Sequence, residues 1–236
     1  MLHKKENHIT NLIASSFATG IAEISTLPIC VLKTNFQTDK QLAIPHLIRN
    51  IYQTRGIKGF YSASIPALSA QIISTSGKYT LYRIGTSNDV PKIISGIGSG
   101  VVISVITHPL DFIRIALQRG EGISELMNNN GLKTFYRGYS KNLTKVVIGS
   151  SLFFPIYDFS KSIVDNPIYA SMSSAVISTI IMQPFDYIKT RNIAGLKWYQ
   201  GMNPIKYFKG CSLNLLRIVP HFTIVMTLTE KLREIL

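Results

Sequence analysis

The sequence has 236 residues, of which 46% are hydrophobic and only 16% charged, and its 25 Lys and Arg against 12 Asp and Glu give a formal net charge of +13. Soluble nucleic-acid-binding proteins of this basicity usually carry more charged residues and shorter apolar stretches, so the composition argues against that class. The 2 cysteines allow at most one disulfide and no metal site built on cysteine, and we expect both to be reduced.

Long uncharged tracts separate the charges. No Asp, Glu, Lys or Arg occurs in residues 59–77, 93–110 or 166–185, and each tract has about the length that a helix needs to cross a hydrocarbon core of roughly 30 Å. The tracts are also rich in Ser, Thr and Gly. Helices around a water-filled cavity need only one lipid-facing stripe and keep polar residues inward, so the pattern predicts an integral membrane protein with a polar interior.

In chain order, the apolar pattern predicts six long helices. Their predicted bounds are 8–37, 62–86, 91–119, 137–162, 167–193 and 209–234. The first contains Ala14, Ala18 and Ala22, a spacing that favours close helix packing. Basic residues before it resemble the start of a secretory signal, but the same segment is needed as the first helix, so no separate presequence is predicted.

A proline motif recurs three times. Its copies are Pro28-Ile-Cys30-Val-Leu-Lys33, Pro109-Leu-Asp111-Phe-Ile-Arg114 and Pro184-Phe-Asp186-Tyr-Ile-Lys189. The steps between them, 109 − 28 = 81 and 184 − 109 = 75 residues, indicate three repeats of one supersecondary unit, at residues 1–88, 89–164 and 165–236. Proline inside a helix removes a hydrogen bond, so we expect the three odd-numbered helices to bend there.

A second marker follows the proline motif in each repeat. It consists of Gly56 with Tyr61, then Gly131 with Tyr136-Arg137-Gly138, then Phe208-Lys209-Gly210. Glycine and backbone amides at a helix N-terminus beside a cation form a site for a lipid phosphate. An aromatic residue with a base is equally typical of a simple anchor at the membrane interface. Both interpretations stay open.

With these two motifs and the threefold period, the chain resembles the mitochondrial carrier family over essentially its whole length. The second repeat carries the fullest set of family residues, from Pro109 to Gly138. The resemblance implies an all-α membrane protein with six transmembrane helices, arranged as three pseudo-symmetric two-helix repeats around a central cavity. It also implies a monomer of the mitochondrial inner membrane that binds cardiolipin, works by alternating access and needs no cofactor.

In the family, the acid of one repeat pairs with the base of another, and these pairs close the cavity on the matrix side. Carried over to this chain, the pairs are Asp111 with Lys189 and Asp186 with Lys33. Arg114 would need an acid at position 30. Because Cys30 stands there, the third pair is expected to be missing and this gate to be weakened.

Glutamines are expected to brace the same pairs. Gln37 and Gln118 follow the bases of the first two repeats by four residues, the position where the family uses glutamine, and Ile193 takes this place in the third repeat. The resemblance therefore implies a brace beside Lys33 and beside Arg114, and none beside Lys189.

On the cytosolic side, the family places an acid and a base three residues apart near the ends of the even-numbered helices. The matching residues are Asp158 with Lys161 and Glu230 with Arg233. In the first repeat Arg83 stands where the acid is expected, so only part of this gate is predicted. The same spacing is also common in ordinary pairs within a helix, and only the repeat register favours a gate.

The family's substrate contacts lie seven residues after the small residue that begins each even-numbered helix. In this chain they are Ala70 with Gln71, Lys145 with Val146, and Arg217 with Ile218. A cation near the membrane centre costs about 2.5 kcal/mol or more and is a functional candidate for that reason. Lys141, one turn before Lys145, and Tyr79 extend the predicted site. Such a cationic cavity suits phosphate or carboxylate groups.

Glu23 is the one acid expected at this depth, five residues before Pro28. Several roles are open for it. It is expected to pair with Lys145 or Arg217 in the empty carrier, to take part in proton coupling, or to accept hydrogen bonds from a substrate. A purely structural buried ion pair is the alternative.

The sequence thus predicts a transporter that exchanges small anionic metabolites. Nucleotides or deoxynucleotides such as ATP, dATP and dTTP are favoured, because a polyphosphate needs several cations and a base can contact Val146 and Tyr79. A carrier of di- or tricarboxylates or phosphate, and a carrier-fold scaffold that has lost transport, are the alternatives. No enzyme is predicted, since no nucleophile with a placed base is visible. The short chain and its Ile, Asn, Lys and Ser usage are typical of a parasite's or giant virus's carrier acting on host mitochondria.

Overall fold

The computed structural model describes the backbone of residues 2–39, 43–163 and 166–235. Within these ranges it does not describe the side chains of residues 2–13, 129–130, 153–154, 157–158, 167–168, 171, 230 and 233–235. The described part of the chain consists of helices and connections and contains no strand, which confirms the all-α prediction.

Eight α-helices follow one another in the described residues. They are α1 (Leu2–Thr38), α2 (Ile44–Arg55), α3 (Ser64–Ser87), α4 (Lys92–Arg119), α5 (Ile123–Asn130), α6 (Tyr139–Ile163), α7 (Pro167–Ile193) and α8 (Cys211–Ile235). All except α2 and α5 are long. The predicted bounds of the long helices agree within two residues, except that α1 begins at Leu2 rather than at residue 8. The polar segment before residue 8 contains neither Pro nor Gly, so nothing in it stops a helix.

The linkers between paired long helices differ among the repeats. In the first two, α2 or α5 is followed by a 3₁₀ turn, at Ile57–Tyr61 and Leu132–Tyr136 respectively. In the third, only the 3₁₀ turn Pro204–Phe208 precedes α8, and residues 194–203 form no helix. Gly195 and Gly201 adopt positive φ angles of 71° and 89°, which interrupt any helix in this linker.

The six long helices form a closed ring. Each packs against the next long helix along the chain, and α8 packs against α1. In addition, α1, α4 and α7 contact one another, so these three odd-numbered helices of the repeats converge inside the ring. The convergence closes one region of the interior and leaves a cavity between the six helices.

Small residues permit the close approach of neighbouring helices. Ala14, Ala18 and Ala22 are fully buried, as their spacing predicted. Gly100 of α4 faces α6 so closely that an added Cβ would lie 3.0 Å from the side chains of Val146 and Ser150. These contacts place small residues where a larger side chain would push the helices apart.

The three motif prolines lie inside continuous helices. Pro28, Pro109 and Pro184 are internal to α1, α4 and α7. Because proline has no N–H, each leaves the carbonyl four residues earlier without its helical partner. At Pro109 that carbonyl belongs to Val105, and the Tyr136 hydroxyl donates to it at 3.4 Å. In the second repeat, the aromatic marker thus compensates for the proline motif.

Three stretches are long and apolar enough to cross a membrane by length and composition. They are Ala14–Thr38, Lys92–Arg119 and Pro204–Thr229. The prediction of membrane spans is therefore supported directly for three helices.

Gly138 provides a test of packing at the start of α6. Its φ is +80°, and an added Cβ would lie 3.0 Å from the Ile193 backbone nitrogen and the Asn192 side chain. We expect Gly138→Ala to destabilise the protein by about 1–3 kcal/mol, because alanine is strained at positive φ. Thermal unfolding in detergent measures this effect.

Gly98 is the matched control. It lies in α4 with open space around its Cβ position, so Gly98→Ala should leave the unfolding temperature unchanged or raise it slightly, since alanine favours helix by about 0.5–1 kcal/mol. Equal destabilisation by both variants would contradict this packing analysis.

Candidate functional site

A cavity of about 610 Å³ lies between the six long helices, each of which contributes to its wall. Many of its lining residues are charged. The charged ones are Lys33, Lys78, Asp111, Arg114, Lys145, Asp186, Lys189 and Arg217. Most belong to the proline motifs and to the predicted substrate contacts, so the structure brings these two groups of residues together around one space.

The first predicted ion pair joins α4 to α7. Lys189 Nζ donates to Asp111 Oδ2 at 2.7 Å. Both side chains are mostly withdrawn from solvent, where opposite charges attract more strongly than in bulk water. The two proline motifs are therefore linked as the resemblance implied.

Asp186 of α7 binds two lysines instead of one. Lys33 of α1 contacts its Oδ2, as expected, and Lys145 of α6 contacts its Oδ1. The sequence analysis placed Lys145 among the substrate contacts and did not foresee its pairing with Asp186. The pairing is possible because a carboxylate has two oxygens and α6 packs directly against α7. Lys145 thus belongs to the ion-pair cluster and to the cavity wall at once.

Arg114 has an acidic partner after all. Its Nη2 donates to Glu23 Oε1 at 2.5 Å, and Arg217 donates to Glu23 Oε2 at 2.7 Å. The expectation that Cys30 leaves Arg114 unpaired is therefore wrong. A long arginine side chain reaches an acid on another turn of α1. Of the two partners expected for Glu23, Arg217 is present and Lys145 is not.

The glutamine braces are not formed as predicted. Gln37 donates to the Lys209 carbonyl at 3.3 Å, and Gln118 accepts a hydrogen bond from Thr34 at 2.6 Å. Both glutamines are fully buried, but neither hydrogen-bonds an ion pair. Each instead ties its helix to a neighbouring element, because the backbone carbonyl and the threonine hydroxyl lie within reach.

A hydrogen-bonded pair supports the proline motif in two repeats. In the second, His108 donates to the Arg137 carbonyl at 3.1 Å and accepts from Asn142 at 3.2 Å. In the third, Gln183 donates to the Lys209 carbonyl at 3.0 Å and accepts from Asn214 at 3.1 Å. The sequence analysis missed both asparagines. Their spacing, 214 − 142 = 72 residues, equals that of the aromatic markers and is the signal that would have found them.

In the first repeat, apolar residues take the place of the hydrogen-bonded pair beside the motif proline. Leu27 precedes Pro28, and Ala67 lies 75 residues before Asn142. Leu27, Cys30 and Ala67 form one buried cluster. Cys30 also lies on the cavity wall, so this apolar cluster borders the cavity.

The remaining predicted substrate contacts divide into two groups. Gln71 and Val146 line the cavity. Tyr79 does not, and its ring lies beneath Arg83 at 5.9 Å on an exposed surface. Lys141 does not line it either, since its ammonium lies 4.3 Å from the centre of the Trp198 ring. Lys141 is one turn nearer the linkers than Lys145, where this ring is its neighbour.

Lys78 of α3 is a cavity residue that sequence reasoning missed. It lines the wall eight residues after Ala70. Among the described side chains no carboxylate lies within ion-pair distance of it. The sequence analysis considered only the positions that match the family's contact points, and Lys78 lies two turns beyond them in α3.

The predicted cytosolic gate falls largely outside the described side chains. Asp158, Glu230 and Arg233 are among the residues whose side chains are not described, and Lys161 is exposed. This gate stays a prediction.

Cations of the linkers bind the ends of helices from other repeats. Arg55 donates to the Gln118 carbonyl at 2.9 Å, and Arg137 donates to the Ile193 carbonyl at 2.8 Å. Burial lowers the pKa of both arginines, because desolvation disfavours the charged form. A cation at a helix C-terminus offsets the partial negative charge of the last carbonyls. Arg137 thus has an internal partner, and the lipid-facing roles expected from the sequence stay predictions.

Comparison with known proteins gives a consistent result. The family model described as "Mitochondrial carrier protein" matches residues 4–88 and 85–168. A mitochondrial carrier-like protein of Acanthamoeba polyphaga mimivirus is 48% identical over 228 residues, which are 95% of this chain and 96% of that protein.

Two more distant relatives are named for different substrates. A mitochondrial 2-oxodicarboxylate carrier of Mus musculus is 22% identical over 76% of this chain and 73% of its own length. The mitochondrial thiamine pyrophosphate carrier 1 of Candida albicans is 23% identical, over 70% and 67% respectively. The relatives therefore agree in family and differ in cargo.

The two motif aspartates provide a matched test of the ion-pair cluster. Asp186→Asn removes the partner of two lysines, whereas Asp111→Asn removes the partner of one. Breaking a buried pair costs about 3–5 kcal/mol, since a charge is left uncompensated. We expect Asp186→Asn to lower the unfolding temperature in detergent more than Asp111→Asn does. The reverse order would contradict the double pairing of Asp186.

Proposed function

Because the chain belongs to the mitochondrial carrier family, we propose that it is a membrane transporter that exchanges anionic metabolites by alternating access. Nucleotides or deoxynucleotides are the proposed substrates, and the mitochondrial inner membrane is the proposed site. The similarity to a mimivirus protein favours a virus-encoded carrier that acts on the mitochondria of a host cell.

The charge of the cavity is the observation that carries this proposal. Six cations line the described part of its wall, and three carboxylates contact them. The cations are Lys33, Lys78, Arg114, Lys145, Lys189 and Arg217, and the carboxylates are Asp111, Asp186 and Glu23. The difference of three positive charges inside a helical ring is costly in the absence of an anion. A bound polyanion would neutralise it.

Three features of the cavity support a nucleotide substrate. A cavity of about 610 Å³ falls in the range of about 300–1,000 Å³ that is typical of sites for molecules of drug or cofactor size. Arg217 also keeps a buried Nε with no hydrogen-bond acceptor among the described atoms, although its Nη2 binds Glu23. A phosphate oxygen would satisfy this donor. Val146 offers an apolar contact for the base.

The names of two relatives support two different classes of substrate, a phosphorylated compound and a carboxylate. A carrier named for thiamine pyrophosphate transports a compound with a diphosphate and an aromatic ring, and this chemistry is close to that of a nucleotide. A relative named for 2-oxodicarboxylate favours the second candidate, a di- or tricarboxylate or phosphate carrier. A scaffold without transport is the third, and it offers no reason for the positive surplus on the cavity wall.

The proposed membrane arrangement extends the observed ring. We propose that all six long helices span the membrane as three repeats, at residues 1–88, 89–164 and 165–236, and that the protein acts as a monomer bound to cardiolipin. The proline-motif ion pairs form the matrix gate in this arrangement. The proposed activity moves a solute without chemical change, so the protein acts as a transporter and not as an enzyme.

Uptake into proteoliposomes tests the transport proposal. Vesicles preloaded with unlabelled compound are assayed with labelled ATP, ADP, dATP, dTTP, phosphate, malate and citrate. We expect nucleotide exchange, and its loss in Arg217→Ala, because the variant lacks the guanidinium that meets the phosphates. Uptake of malate or citrate alone would favour the second candidate, and no uptake by folded protein would favour the scaffold.

Lys78→Gln tests whether Lys78, which has no carboxylate partner among the described side chains, contacts the substrate. Losing a hydrogen bond to a charged group costs about 1.5 kcal/mol or more, so KM for a nucleoside triphosphate should rise about tenfold. The exposed Lys133→Gln, which removes a charge from the linker after α5, is the control and should leave KM unchanged. Equal KM values for both variants would place the phosphates elsewhere.

A further inference from the structure

Three carboxylates join α1, α4 and α7 in pairs. Asp111 links α4 to α7, Asp186 links α7 to α1, and Glu23 links α1 to α4. The first two acids lie two residues after their motif prolines, whereas Glu23 lies five residues before Pro28. The triangle of helices is therefore closed on all three sides in the described structure, with one corner displaced along α1.

Glu23 is more deeply buried than the other two acids. Its side chain is 1% exposed, against 24% for Asp111 and 12% for Asp186. Each of its oxygens accepts from a different arginine, Arg114 of α4 and Arg217 of α8. One carboxylate thus fixes three helices that belong to three different repeats.

The displacement from position 30 to position 23 preserves the helical face. Seven residues make about two turns and about 10.5 Å of rise, so both positions point the same way from α1. The base that must reach the displaced acid is Arg114, whereas the other two motif bases are Lys33 and Lys189. Arginine has five donors on a longer side chain, and it suits this position better than lysine does.

We propose that Glu23 replaces the missing acid of the first proline motif and couples the substrate site to the closed end of the cavity. Opening that end requires the Glu23–Arg114 link to break. An anion that binds Arg217 competes with Glu23 for this cation and weakens the link between α8 and α1. This inference rests on the proposed transport function for its second half, whereas the link between α1 and α4 stands without it.

Relocating the charge tests the replacement. Glu23→Gln should lower the unfolding temperature in detergent by about 5–10 °C, because two buried arginines lose their acid. Adding Cys30→Asp returns an acid to the motif position on the same cavity wall as Arg114. We expect the double variant Glu23→Gln/Cys30→Asp to recover at least half of the loss.

Cys30→Asn is the matched control for the second substitution, since it has nearly the same shape as Asp without the charge. Glu23→Gln/Cys30→Asn should recover nothing. Equal recovery with Asn, or no recovery with Asp, would overturn the proposal. If Glu23→Gln yields no folded protein, the amount of folded protein extracted with detergent is measured instead of the unfolding temperature. The double variant with Cys30→Asp should then yield more folded protein than the double variant with Cys30→Asn.

Arg217→Gln separates the contribution of the Glu23–Arg114 pair from that of the Glu23–Arg217 pair. In this background Glu23→Gln should still lower the unfolding temperature, and Cys30→Asp should still restore it, because Arg114 remains. Loss of the Glu23→Gln effect in this background would show that Glu23 serves only Arg217, and the proposal would fail. None of these measurements needs a transported compound, so failure of the proposed substrates leaves them valid.

Efflux from preloaded vesicles reports on the gate itself. With a substrate identified by uptake, wild-type protein should release little label without a counter-substrate, whereas Glu23→Gln should release it several-fold faster. Cys30→Asp added to Glu23→Gln should reduce this release. Unchanged efflux in Glu23→Gln would overturn the gating role, whereas absence of any transport in wild type would instead refute the proposed function.

Discussion

A carboxylate buried between helices is stable only if cations surround it, and this requirement organises the whole molecule. Asp111, Asp186 and Glu23 each lie between helices that are distant in the chain, and two of the three bind two bases. Since an unpaired charge at this depth is costly, the helices cannot shift independently of their partners. The ring, the closed end of the cavity and the positions of the lining cations follow from these contacts.

The three repeats support their motif prolines with different side chains. The second and third support the proline with a hydrogen-bonded pair, His108 with Asn142 and Gln183 with Asn214. The first uses the apolar pair Leu27 and Ala67. An apolar pair needs no hydrogen-bond partner. The acid of the first repeat lies two turns away from the motif position, and the internal symmetry is preserved in the backbone more closely than in the side chains.

The cavity shares its charged residues with the ion pairs that close it. Lys145 and Arg217 line the space and also bind Asp186 and Glu23. Under the proposed function, an entering anion and the protein's own carboxylates compete for the same cations. Such competition makes the closed end of the cavity sensitive to whether an anion is bound. A carboxylate that loses its cation to the anion no longer opposes separation of the helices.

The sequence by itself determined the helical class and the six long helices, with bounds within two residues except at the start of α1, because apolar runs, prolines and a period of 75–81 residues are properties of the chain alone. It also indicated the pairing of Asp111 with Lys189. Only the tertiary structure decided that Glu23 binds Arg114, that Lys145 binds Asp186 and that Lys141 faces Trp198. The physical reason is that several cations lie near each carboxylate. Helix spacing, side-chain length and the two oxygens of each acid decide which cation binds, and none of these follows from residue spacing along one helix.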